Sequence, residues 1–177
     1  MRPAAVLALL TAAVPAAAQT SFPMITHCTP VAVQRGTTAE VTVEGQMNFA
    51  GAYKVLIEGT GVTAEVVPDK ATTTRKVQLK VTAATDAPLG VREFRVATSL
   101  GISSLGQLLI VDDPVVTEQP GTSTPAKAQP IKVPCVVCGR TEAAENVDHY
   151  RFAGKAGQVV TFEVFAARIQ DKIHDLQ

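Results

Sequence analysis

Two cysteines three positions apart carry the most reactive chemistry in this chain. Cys135-Val136-Val137-Cys138 has the spacing of a redox dithiol and of half a zinc site. A redox pair ordinarily opens a helix, whose N-terminus lowers a thiol pKa. Here the flanks are valine-rich and strand-like, with Pro134 before and Gly139 after. A four-ligand zinc site needs two more donors. Cys28, His27 and His149 are the candidates, and their spacings fit no finger or ribbon. Cys135 and Cys138 are the candidates should a metal be held, but the residues by themselves assign none. The plainer reading is structural: a local disulfide, or two thiols packed in a strand. A bridge over two intervening residues strains a regular strand, so Cys28 with Cys135 or Cys138 stands as an alternative pairing.

The other reactive side chains form no constellation. His149 lies between Asp148 and Tyr150. Neighbours along a strand point to opposite faces, so Asp148 and His149 cannot easily cooperate in a relay. No Gly-x-Ser-x-Gly elbow is present for them to activate. Asp112, Asp113, Glu145 and Asp148 could supply oxygens to calcium, but that ion needs six to eight of them and no Asp-x-Asp-x-Asp-Gly loop exists. They read as solvated turn residues. Gly59-Thr60-Gly61 lacks the Lys-Ser/Thr that would contact phosphate. Phe49, Tyr53, Phe94, Phe152, Phe162 and Phe165 are expected in a core rather than on a binding platform. No catalytic and no cofactor-binding residue is assigned.

The elements that position these residues are strands. The chain has 177 residues, zero formal net charge, 46% hydrophobic and 18% charged residues. Balanced charge without basic runs argues against nucleic acid as a partner. Residues 1–18 have the form of a signal peptide: Arg2, an apolar stretch from Ala4 to Val14, a break at Pro15 and a small-residue site at Ala16-Ala17-Ala18. Cys28 has no lipobox before it, and no later stretch is long and apolar enough to span a bilayer. Export follows, to the periplasm, the cell surface or beyond. Residues 19–28 read as an N-terminal extension.

From 29 to 113 the pattern alternates with period two. In Ala39-Glu40-Val41-Thr42-Val43-Glu44 the valines are expected to face inward and the acids outward to water. Comparable runs start at Tyr53, Thr63, Lys76, Glu93 and Gln107, with a weaker first strand at Val31-Ala32-Val33. Turns such as Arg35-Gly36, Pro68-Asp69 and Ala87-Pro88-Leu89-Gly90 separate them. About seven short strands in fewer than 100 residues predict an antiparallel sandwich, immunoglobulin-like and all-β. Residues 114–130, rich in Pro, Ser and Thr, predict an extended, solvated linker.

Two resemblances attach to these segments. Residues 35–45, Asn48-Phe49-Ala50-Gly51-Ala52, Gly59-Thr60-Gly61-Val62 and the later Ala87-Pro88-Leu89-Gly90 to Val96 resemble bacterial IPT/TIG-type immunoglobulin-like domains. Residues 131–177 resemble the start of a bacterial pre-peptidase C-terminal domain, through Asp148-His149-Tyr150-Arg151-Phe152, Gly157 and the expected strand from Val159 to Ala166. The second resemblance implies a further, jelly-roll-like β-sandwich, incomplete at Gln177. In it Asp148, Tyr150, Phe152 and Gly157 are structural motif positions, and Tyr150 and Phe152 share a face that can enter a core. Arg168 to Gln177 has helical spacing at Ile169, Ile173 and Leu176. Some members of that family bind calcium, and no ligand set for it is identifiable here.

Three functions follow as expectations. The first is a non-catalytic exported accessory module for surface display, adhesion, or protein or carbohydrate binding. The second is the front of a secreted peptidase or other hydrolase whose reaction centre lies beyond Gln177. The third is a metal or redox site at Cys135 and Cys138. The first is preferred, because no nucleophile–base pair is visible.

Overall fold

The computed structural model describes residues 22–67, 72–140 and 145–166. The signal peptide and the helical spacing after Arg168 lie outside them.

The alternating segments form two facing sheets. Their strands are β1 (Ile25–Thr29), β2 (Ala32–Gln34), β3 (Thr38–Gly45), β4 (Lys54–Ile57), β5 (Val62–Val66), β6 (Lys76–Ala83), β7 (Gly90–Thr98), β8 (Gly101–Ile102) and β9 (Gly106–Val111). One sheet has the order β1-β3-β6-β5, and the other β2-β9-β7-β4 with β8 hairpinned onto β7. All pairings are antiparallel except β2 with β9. This is the strand order of an immunoglobulin constant-type sandwich, with the first strand divided between the sheets. The division falls at Pro30, which has no N–H to continue the ladder of β1. The sandwich therefore begins at Ile25, inside the segment expected to be an N-terminal extension.

Its core is the expected inward set. Val41 and Val43 of β3, Val77, Leu79 and Val81 of β6, Phe94 and Val96 of β7, and Leu108 and Ile110 of β9 are fully or almost fully buried. Phe49 is buried in the same cluster. Two glycines let large rings reach the sheets. A Cβ on Gly106 would lie 2.5 Å from the Phe94 ring, and one on Gly45 would lie 2.2 Å from the Phe49 ring.

Leu109 breaks the alternation. Its neighbours Leu108 and Ile110 face the core, so Leu109 faces the other side of the sheet, yet it too is buried. The cover comes from later in the chain. Leu109 and Ala32 pack with Cys138, Val115 and Val136. Val115 lies in β10 (Val115–Thr117), which pairs in parallel with β12 (Val136–Cys138). Between them β11 (Gln129–Pro130) pairs in parallel with β13 (Tyr150–Arg151).

Residues 114–130 are thus not an extended, solvated connection. Gln129 is buried, its amide N–H2 donating to the Thr117 carbonyl and its side-chain oxygen accepting from the Gln119 N–H. Thr122 is buried as well, and its carbonyl accepts from His149 N–H. Composition pointed to a linker because Gln and Thr are usually solvated, whereas here they close a loop by hydrogen bonds that composition does not encode.

Two further expectations differ. Residues 159–166 do not form a strand, and Val159, Phe162 and Val164 are exposed. A strand is stabilised by its ladder, and none of the described strands pairs with this segment. Phe152 is exposed too, its ring 6.0 Å from that of Phe162, and Tyr150 is only half-buried. Of the aromatic residues, Phe49 and Phe94 enter the core, while Tyr53, Phe152, Phe162 and Phe165 stay exposed.

Candidate functional site

Docking of residues 115–140 and 145–151 on the sandwich encloses a cleft of about 500 Å³. One wall is β1 with the end of β3. The other is the turn after β10 together with the chain that leaves β12. The size falls within the range of small-ligand sites. Among the described residues, no Phe or Tyr side chain lines it.

Charged and polar groups face one another at its mouth. Glu44, at the end of β3, binds Lys76 of β6 through Oε1 at 2.5 Å and His27 of β1 through Oε2 at 2.7 Å. The hydrogen bond from Lys76 holds the Glu44 carboxyl below its usual range, with the charges of His27, Lys76 and Arg140 acting in the same direction and burial acting against them. Arg140, from the other wall, places Nη1 2.8 Å from His27 Nε2, and its backbone N–H donates to Glu118 Oε2 at 2.8 Å. Across the cleft, Asp148 accepts from the Thr122 hydroxyl at 3.0 Å and from the Asn146 amide at 2.7 Å.

The residues singled out from the sequence are placed differently. Cys28, Cys135 and Cys138 are thiols, with no disulfide among them. Cys135 and Cys138 lie three residues apart on an extended segment and so project to opposite sides. Cys138 is buried against Ala32 and Leu109. Burial pushes its thiol pKa up, against backbone N–H groups of Ala32 and Val31 that draw it down. Burial and the Asp113 charge raise that of Cys135. A raised pKa leaves less thiolate, the nucleophilic form, at neutral pH. Cys138 lines the cleft together with Cys28, whereas Cys135 does not.

The four candidate calcium residues are not brought together. Asp112 pairs with Arg35 at the end of β9, while Asp148 lies in the cleft. Among the described residues no three His, Cys, Asp or Glu side chains converge as a metal site would require. His149 is half-buried, with Nδ1 3.3 Å from the Thr122 carbonyl oxygen. Asp148 lines the cleft, bonded to Thr122 and Asn146. Tyr150 has its hydroxyl beside Gly139, where a Cβ would lie 3.2 Å from it. Burial and the nearby Glu118 and Asp148 charges push its pKa up to about 12. Gly157 sits at φ +83° in a turn that an L side chain rarely adopts.

Sequence reasoning missed Glu44, Arg140, Thr122 and Asn146. Glu44 ends an alternating strand and read as a water-facing acid. Arg140 and Asn146 sit in irregular chain with no periodic signal.

No family model matches this chain, and no curated protein matches it. Among solved structures, the Bacteroides ovatus mixed-linkage glucan utilization locus protein SGBP-B, in complex with a mixed-linkage heptasaccharide, is 15% identical with a TM-score of 0.33. That match covers 58% of this chain but 23% of the other, so the chain spans about a quarter of that protein's length. The SrpA adhesin R347E mutant from Streptococcus sanguinis is also 15% identical with a TM-score of 0.33, covering 62% of this chain and 72% of the other. Both likenesses are too shallow to bear on what this chain binds; its own strands establish that it is an all-β protein built on a sandwich.

Proposed function

We propose that this chain is an exported, non-catalytic recognition module of a larger bacterial protein, and that the junction cleft takes an oligosaccharide. The N-terminal signal segment supports export. The IPT/TIG-type and pre-peptidase C-terminal resemblances fit an accessory role beside another domain. The observation that carries the reading is the cleft itself: a concave polar space of about 500 Å³ walled by two regions of one chain. A folded protein partner presents a broad surface, about 800 Å² on each side of a standard interface. A saccharide end is small, and its hydroxyls both donate and accept. Asp148 and Glu44 supply acceptors, while Arg140 and Asn146 supply donors, all in its lining. Without an aromatic platform, recognition rests on hydrogen bonds. Glu44, His27 and Arg140 are engaged with one another.

Calorimetric titration of the mature chain against soluble oligosaccharides tests this. The expected result is binding that weakens at least about tenfold in Asn146→Ala, the loss of one charge-linked hydrogen bond. No binding across a broad glycan panel, or binding indifferent to that substitution, would remove the cleft as the site. Turnover of a glycan or peptide by these residues alone would overturn the non-catalytic reading.

A further inference from the structure

His27 Nε2 has two neighbours that it cannot satisfy in one protonation state. The Thr26 hydroxyl lies 3.2 Å from the Glu44 carbonyl oxygen and donates to it. Its oxygen is then the acceptor for His27 Nδ1–H at 3.0 Å. That fixes the neutral tautomer, with a bare lone pair on Nε2. The lone pair accepts from Arg140 Nη1 at 2.8 Å, across the cleft mouth. A second proton on Nε2 reverses this. The imidazolium then donates to Glu44 Oε2 at 2.7 Å, within the sandwich, and presents a positive charge to the guanidinium.

We propose that His27 is a proton-operated latch: neutral, it holds the chain leaving β12 to the sandwich through Arg140, and protonated, it turns to Glu44 and releases that wall of the cleft. The groups that face it among the described residues are consistent. From β3, Glu44 Oε2 is the acceptor within reach of a protonated Nε2. From β6, Lys76 occupies the other Glu44 oxygen. From the chain after β10, Glu118 accepts from the Arg140 backbone N–H, a bond that belongs to the wall being released. Asp148 is occupied by Thr122 and Asn146 on the far side. The His27 side chain is only 11% exposed, while Arg140 faces it from the solvent side. The latch needs no ligand, and its failure would leave the recognition reading untouched.

Hydrogen exchange on the mature chain between about pH 5 and 8, the interval in which imidazoles titrate, reads the latch directly. After correction for intrinsic rates, protection of the Arg140 and Glu118 amides is expected to fall roughly tenfold on acidification, with the Leu79 amide of the β3–β6 ladder unchanged. The fall is expected to vanish in His27→Gln, whose amide does not titrate, and in Arg140→Gln, which removes the repelled charge and leaves the sandwich intact. Equal protection at both ends of the range overturns the latch. So does the same fall in both variants, or a fall shared by Leu79, which would be global unfolding.

Discussion

The sandwich and the region that follows it are built from similar residues but held by different means. The sandwich owns a core of valines, leucines and phenylalanines between two sheets, crossed by long antiparallel ladders. Among the described residues, the region from 114 onward has two short parallel pairings and buries Cys138 against Ala32 and Leu109 on the outer face of the sandwich. Otherwise it is organised by polar side chains, chiefly Gln129 and Thr122. A two-stranded pairing is marginal alone in water. The second region is thus parasitic on the first: it borrows an apolar surface that an isolated sandwich would leave exposed, and the cleft is a product of that docking.

Three substitutions break or sharpen this contrast. The largest effect is expected in the sandwich. Phe94→Ala empties the space that Gly106 leaves for the ring, and about 3–5 kcal/mol should be lost in urea unfolding. Because Leu109 belongs to the same sheet, both regions should melt together; a second region that survives would show that it does not depend on the sandwich. Gln129→Ala should cost about 1–3 kcal/mol, since it strands the Gln119 N–H and the Thr117 carbonyl. That loss should register as faster exchange of the β12 amides, with those of β6 unaffected. Equal acceleration in both would mean the two regions are one cooperative unit.

The smallest effect lies at the seam. Glu44 has a folded-state pKa held down chiefly by Lys76, so its contribution is present above the ordinary glutamate range and disappears as pH falls through the folded value. Glu44→Gln should therefore destabilise by about 0.5–1 kcal/mol at neutral pH. The gap between variant and parent should close on acidification below pH 4 in a pH series of thermal melts. A gap that stays constant with pH would mean that the carboxylate charge is not what stabilises the seam.

How much was legible follows from the same contrast. Val41, Val43, Leu79, Phe94 and Ile110 announced themselves because a half-buried strand must alternate, and their burial follows from period alone. The first strand, Ile25–Thr29, escaped because Thr26, His27 and Cys28 do not alternate cleanly, and its ladder with β3 is irregular between Ile25 and His27. Leu109 read as one residue of an apolar run. Its outward burial depends on Cys138, 29 positions later, and no local pattern carries that. The cysteine pair was visible as a motif, but the environment that raises both thiols was not, because desolvation is a property of packing.

The sequence by itself determined that this chain makes layered sheets and which residues line the space between them, since side-chain alternation and turn chemistry act over a few residues. Tertiary structure alone decided that a Pro- and Thr-rich stretch is tied down rather than loose, and that His27, Glu44 and Arg140 meet. Those contacts join residues up to 113 positions apart. Hydrogen-bond partners at such separations are chosen by how the sheets pack, and no periodicity in the chain records that choice.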